Sequence, residues 1–183
     1  MYSMRKNLII TLLLAILVTF SLAADDPSAS FSVSASIGAI NEMKITNKPV
    51  TTATFGDDDN SFSGTVAIVG NGEGANMDSS GNVTFAAYIS TLSNNRSGYS
   101  VSMSATPLTS DGATINYTVT VNEVPYTTGT PSPSAVTVLT VSSLSELDAK
   151  SLPIAVTVVR SEYDSAVQGT YEGSVTFEYK AVN

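Results

Sequence analysis

The sequence predicts an all-β protein, a two-sheet sandwich preceded by a signal peptide. Three observations carry that expectation. Apolar and polar residues alternate with period two in many short stretches, turn-forming residues separate those stretches, and only one short stretch has helical character.

The leader comes first. Arg5 and Lys6 form a basic n-region, residues 8–20 are apolar apart from Thr11 and Thr19, and Ser21, Leu22 and Ala23 supply small residues for a peptidase. Residues 1–23 are therefore expected to be cleaved after Ala23. The apolar run of about 13 residues falls short of the roughly 20 that a helix needs to cross a bilayer. With no cysteine, a lipid-modified N-terminal cysteine is excluded, and no second apolar run is long enough to span a membrane. The mature chain is expected to be secreted, to the periplasm or the cell surface, as one sandwich domain over residues 24–183.

The strands follow in order. Phe31, Val33, Ala35 and Ile37 alternate with serines at 32, 34 and 36 and with Gly38. Val83, Phe85, Ala87 and Ile89 repeat the pattern. Tyr99, Val101, Met103 and Ala105 alternate with Ser100, Ser102 and Ser104, and Ile115, Tyr117, Val119 and Val121 with Asn116, Thr118 and Thr120. Ile154, Val156 and Val158 form another run, and Tyr171, Gly173, Val175, Phe177 and Tyr179 close the chain. Less regular strands are expected at 43–46, 62–69 and 136–141. Turns are expected at Gly56-Asp57, Gly70-Asn71-Gly72, Ser80-Gly81-Asn82, Asn94-Asn95, Asp111-Gly112 and residues 129–133. The helical stretch, 143–150, carries Ser143 and Glu146 at capping spacing and is expected to be a connecting turn.

Charge and composition narrow the function classes. Of 8 Lys+Arg and 16 Asp+Glu, cleavage removes Arg5 and Lys6 and no acid, leaving 6 against 16 and a net charge of −10. Such a surface repels nucleic acid and anionic lipid, so neither is an expected partner. With no His and no Cys, the usual general base, the thiol nucleophile and the standard zinc ligand sets are missing. Ser143 and Ser151 lie near Lys150 in no nucleophile motif, and the chain is expected not to be an enzyme.

Two acidic loops invite comparison with calcium sites, the one cofactor worth weighing: Asp57, Asp58 and Asp59 with Asn60, and Asn71, Glu73, Asn76 and Asp78 among glycines. Neither has EF-hand spacing. A sugar site would want aromatic platforms. There is no Trp, Tyr99, Tyr117, Tyr171 and Tyr179 fall on apolar parity, and only Tyr88 and Tyr126 are left to meet a ligand. Asn82, Asn95 and Asn116 match the N-glycosylation pattern, which arises readily by chance in a chain so rich in Asn, Ser and Thr.

The two ends of the chain carry a resemblance. The Phe31, Val33, Ala35, Ile37 stretch, leading into Ala39 and Ile40, resembles the N-terminal extension of the cysteine-free major pilins of chaperone–usher colonisation-factor fimbriae. The run from Gly169 through Tyr171, Gly173, Val175, Phe177 and Tyr179 is similar to their closing strand. The resemblance implies an immunoglobulin-like sandwich lacking one strand, residues 24–37 being a donor-strand extension whose Phe31, Val33, Ala35 and Ile37 enter a neighbour's groove by β-augmentation. It also implies self-association, or an assembly chaperone in the periplasm, and a structural and adhesive role in a fimbrium. Read from the residues alone, the same four fit equally well as the first strand of a complete sandwich. The alternative function is a monomeric exported sandwich that binds glycan or calcium through its acidic loops.

Overall fold

The computed structural model describes residues 32–62, 64–70 and 74–183, and the chain divides into two units, residues 1–39 and 40–183. The leader and Phe31 lie outside the described residues. In the first unit, residues 32–39 are exposed and have no regular secondary structure, with Val33 65% and Ile37 86% exposed. The expectation that residues 31–37 form a strand is thereby corrected for the described part, residues 32–37. Alternation makes a segment competent to be a strand, but only ladder hydrogen bonds make it one, and among the described residues 32–39 enter no ladder.

The second unit is built from short antiparallel strands. In chain order they are β1 (Asn41–Thr46), β2 (Asn82–Val83), β3 (Tyr88–Ser93), β4 (Tyr99–Ala105), β5 (Leu108–Ser110), β6 (Ala113–Ile115), β7 (Tyr117–Val121), β8 (Val124–Thr127), β9 (Val136–Val141), β10 (Asp148–Val158) and β11 (Val175–Ala181). One helix, α1 (Arg160–Ser165), precedes β11. One sheet runs β1-β3-β10-β7-β8, with β2 pairing the far end of β10. A second runs β11-β4-β9, and β5 and β6 form a separate hairpin. The protein is thus all-β, with its two larger sheets sharing one core.

That core follows from the alternation. On β4, Tyr99, Val101 and Met103 are completely buried while Ser100, Ser102 and Ser104 are only half-buried. On β7, Val119 and Val121 are completely buried, and Ile89, Tyr126, Val138, Val156 and Val158 join them from both sheets. Burying each large apolar side chain contributes roughly 1.5–3 kcal/mol. At one side of this core, Asn122 Nδ2 donates to Val138 O at 3.1 Å. At the other, Tyr179 stacks on Tyr99 with ring centroids 4.8 Å apart, and its hydroxyl donates to Asn41 Oδ1 at 2.8 Å.

Four expectations are corrected here. The described residues of 62–69, namely 62 and 64–69, form no strand. The run from Val83 to Ile89 is interrupted: β2 and β3 both lie along β10, but residues 84–87 leave the ladder, touching it where Ile154 N donates to Ala87 O at 2.9 Å. The closing strand begins at Val175, because Glu172 makes only an isolated bridge to Thr109. Of the helical stretch, Asp148, Ala149 and Lys150 open β10, paired with Ser93, Leu92 and Thr91. A helix that short pays the nucleation cost for few bonds, and a ready sheet edge wins. The observed helix α1 is instead held by tertiary bonds: Glu162 Oε2 accepts from Asn116 N at 2.6 Å, and Tyr163 OH accepts from Gly70 N at 3.0 Å.

The hairpin turns obey local chemistry at one site and strain it at another. Asp111 (φ 46) and Gly112 (φ 86) join β5 to β6, and Asn122 (φ 50) and Glu123 (φ 64) join β7 to β8. Both central residues of such a turn need positive φ, and the second favours glycine. Glu123→Gly is expected to stabilise the protein by up to about 1 kcal/mol by relieving left-handed strain. Urea unfolding should show a higher midpoint at an unchanged slope.

Candidate functional site

An apolar groove of about 720 Å³ opens between the two larger sheets. Ile45 on β1, Tyr117 on β7, Ile154 and Val156 on β10, and Val175 and Phe177 on β11 line it. An open apolar groove of this size is the candidate binding site of the fold.

The strand beside it is unfinished. β11 pairs with β4 from Val175↔Ala105 to Ala181↔Tyr99, and among the described residues no strand pairs with its other edge. Its parity is as the sequence predicts: Val175, Phe177 and Tyr179 face inward, and Thr176, Glu178 and Lys180 are exposed. Yet the inward residues are only half-buried, whereas Met103, opposite Phe177, is completely buried. An edge strand with half-covered apolar residues is a template for another strand.

The residues leading into β11 shape the groove's rim. A Cβ on Gly173 would lie 2.9 Å from the carbonyl oxygens of both Thr106 and Pro107, so only glycine lets the chain pass this close. At Gly169 the nearest atom would be Ser110 Oγ at 2.7 Å, on a side chain able to turn away. Tyr171 is half-buried and its hydroxyl donates to Val167 O at 3.2 Å. Tyr117 donates to Ser174 O at 3.3 Å; desolvation, with a smaller contribution from Tyr126, pushes its pKa up to about 12. It remains a neutral phenol in the groove wall.

The acidic loops have structural employment. Asp57, Asp58 and Asp59 are exposed at the 3-10 turn Asp58–Asn60. The surrounding segment covers the outer face of the first sheet, where Val50 and Phe55 pack on Leu92 and Lys44 donates to Phe55 O. Asn60 is buried and its Nδ2 donates to Thr54 O at 2.7 Å. Asn71 and Glu73 of the second loop lie outside the described residues. Asp78 accepts from Ser80 N, Asn82 N and Asn82 Nδ2 at 2.8–2.9 Å, and the Asn82 side chain, first among these bonds, holds its carboxyl below the usual range. Among the described residues, no three acidic side chains come together as a group able to hold a metal ion.

Other singled-out residues also find partners. Tyr126, expected to be free, is buried on β8 and donates to Pro133 O at 2.8 Å; Tyr88 is half-buried. The side-chain amides of Asn82, Asn95 and Asn116 donate to Asp78, to the carbonyls of Gly98 and Val182, and to Glu162. Ser151 Oγ is shared with Ser90 Oγ and Val50 N, while Lys150 binds Asp148 at 2.7 Å, a hydrogen bond that raises its pKa and keeps it protonated.

Sequence reasoning singles out Val175 and Phe177 but not the opposite wall, Ile45, Tyr117, Ile154 and Val156. Those four alternate like any core residue, and no local signal separates a groove wall from a filled core. Compared with protein-family models, with curated proteins and with solved structures, the chain matches none.

Proposed function

We propose that this protein is a non-catalytic structural subunit of the bacterial cell envelope, pilin-like, which assembles at the cell surface by strand donation. Phe31, Val33, Ala35 and Ile37 of one copy enter the groove of another and extend its second sheet along β11. The supporting observation is the apolar groove beside an unpaired edge strand, in a chain whose own Val33 and Ile37 stand exposed. Donor and acceptor also match in length: the donated stretch and β11 are both seven residues with apolar side chains at alternate positions. A few anchors at roughly 1.5–3 kcal/mol each, together with main-chain bonds, suffice to hold such a joint. An immunoglobulin-like sandwich short of one strand is the finer fold that goes with this reading, and export through the signal peptide is its route.

The test is assembly itself. Size-exclusion chromatography of the mature protein is expected to show oligomers that grow with concentration and vanish when residues 24–37 are deleted. Val33→Asp should abolish them too, since an unpaired charge in an apolar groove costs several kcal/mol. Because Val33 is exposed, the folded subunit should melt as the wild type does, and Ser34→Asp should change neither property. A wild type that stays monomeric at every concentration sinks the proposal.

A further inference from the structure

One wall of the groove is built differently from the rest. Thr65, Val66, Ala67 and Ile68 all border the groove, but only Val66 and Ile68 are half-buried against the core, while Thr65 and Ala67 are exposed. This is strand alternation without a strand. Among the described residues, no backbone hydrogen bond joins residues 64–68 to any ladder.

The stretch is tied by hydrogen bonds at both ends. Upstream, Phe62 N donates to Ile45 O at 3.0 Å, and downstream Gly70 N donates to Tyr163 OH. Gly70 is tightly held, because a Cβ there would lie 2.6 Å from both Met77 Cε and the Tyr163 ring. Gly64, at φ +124, supplies a bend that other residues rarely adopt. Between these points Asn76 grips the segment: its Oδ1 accepts from Val69 N at 2.9 Å and its Nδ2 donates to Ala67 O at 2.7 Å, while Asn76 N and Met77 N donate to Val69 O at 2.9 and 3.2 Å.

We propose that residues 64–69 are a built-in cover of the groove, latched by Asn76, which places Val66 and Ile68 over apolar surface in the unassembled subunit and lifts when an incoming strand takes that surface. Its purpose rests on the strand-donation reading; its geometry does not. Two apolar side chains and the bonds from Asn76 and Met77 at one end hold the cover, against four alternating side chains and a full ladder in a donor. The cover is therefore strong enough to shield the groove and weak enough to be displaced.

The experiment compares the mature wild type with Asn76→Ala, a half-buried position whose loss frees the latch and leaves both apolar anchors. Binding of anilinonaphthalene sulfonate reports exposed apolar surface, and stopped-flow uptake of a fluorescent peptide of residues 31–39 reports strand entry. Asn76→Ala is expected to bind more dye and to take up peptide at least tenfold faster, with circular dichroism unchanged. Should Asn76→Ala fail to fold, the double variant Val66→Ser/Ile68→Ser is expected to give the same two results. Dye binding at the wild-type level in the folded variant overturns the cover, whatever the peptide does. Raised dye binding with no peptide uptake by either protein leaves the cover standing and overturns strand donation, so the two proposals fail separately.

Discussion

Gly98→Ala is expected to destabilise the protein by more than about 3 kcal/mol. Gly98 is buried where β4 begins and lies against the end of β9, at φ +86. A Cβ there would sit 1.9 Å from Val141 O and 2.8 Å from the Ser142 carbonyl carbon, both backbone atoms unable to rotate away. The same residue anchors the chain's end: Gly98 O accepts from Val182 N at 3.0 Å and from Asn95 Nδ2 at 2.8 Å. Gly112 provides the control, since it has the same φ of +86 but nothing within 4 Å of its missing Cβ. Gly112→Ala should cost only the conformational part, about 1–2 kcal/mol. Urea unfolding of the two variants thus separates left-handed strain from steric collision. Equal losses would show that the backbone at Gly98 yields freely, and the argument for close approach would fail.

The second large effect divides stability from assembly. Met103 and Phe177 face each other in register on β4 and β11, one completely buried and the other half-buried in the groove wall. Met103→Ala should cost the folded subunit about 2–5 kcal/mol, the transfer energy of the lost atoms plus the cavity left behind. Phe177→Ala should cost the subunit less than the 3–5 kcal/mol typical of a fully buried Phe, because part of its surface already meets solvent. Its larger effect is expected on binding, where the donated strand loses a wall to pack against, so that affinity for a peptide of residues 31–39 falls at least tenfold. Met103→Ala, measured at a temperature where it remains folded, should change that affinity less. A Phe177→Ala subunit with undiminished peptide affinity would remove β11 from the binding site.

Much of the architecture was legible in the sequence, and the reason is clearest on β4. Serine at 100, 102 and 104 against Tyr99, Val101 and Met103 admits one period and one buried face, and the observed burial follows it residue for residue. The Asp111-Gly112 turn was equally legible, because two successive residues at positive φ are a local requirement met by local chemistry. The inward parity of Val175, Phe177 and Tyr179 belongs to the same class.

Other features depended on partners distant in sequence. Residues 148–150 ended a stretch whose Ser143 and Glu146 had helical capping spacing, yet Ser93, Leu92 and Thr91 offered them an edge, and β10 took them. Residues 62–69 were expected as a less regular strand, but among the described residues no ladder received them, and Val66 and Ile68 line the groove instead. Tyr126 followed a proline as loop residues do, and a core assembled from both sheets buried it. By itself the sequence determined which residues turn inward and where the chain reverses, because side-chain alternation and positive φ act over two to four residues. Only the tertiary structure decided that the inward residues of β1, β7, β10 and β11 stop short of filling the space between them, because a groove is a matter of how far apart the sheets stand, and no stretch of chain carries that distance within itself.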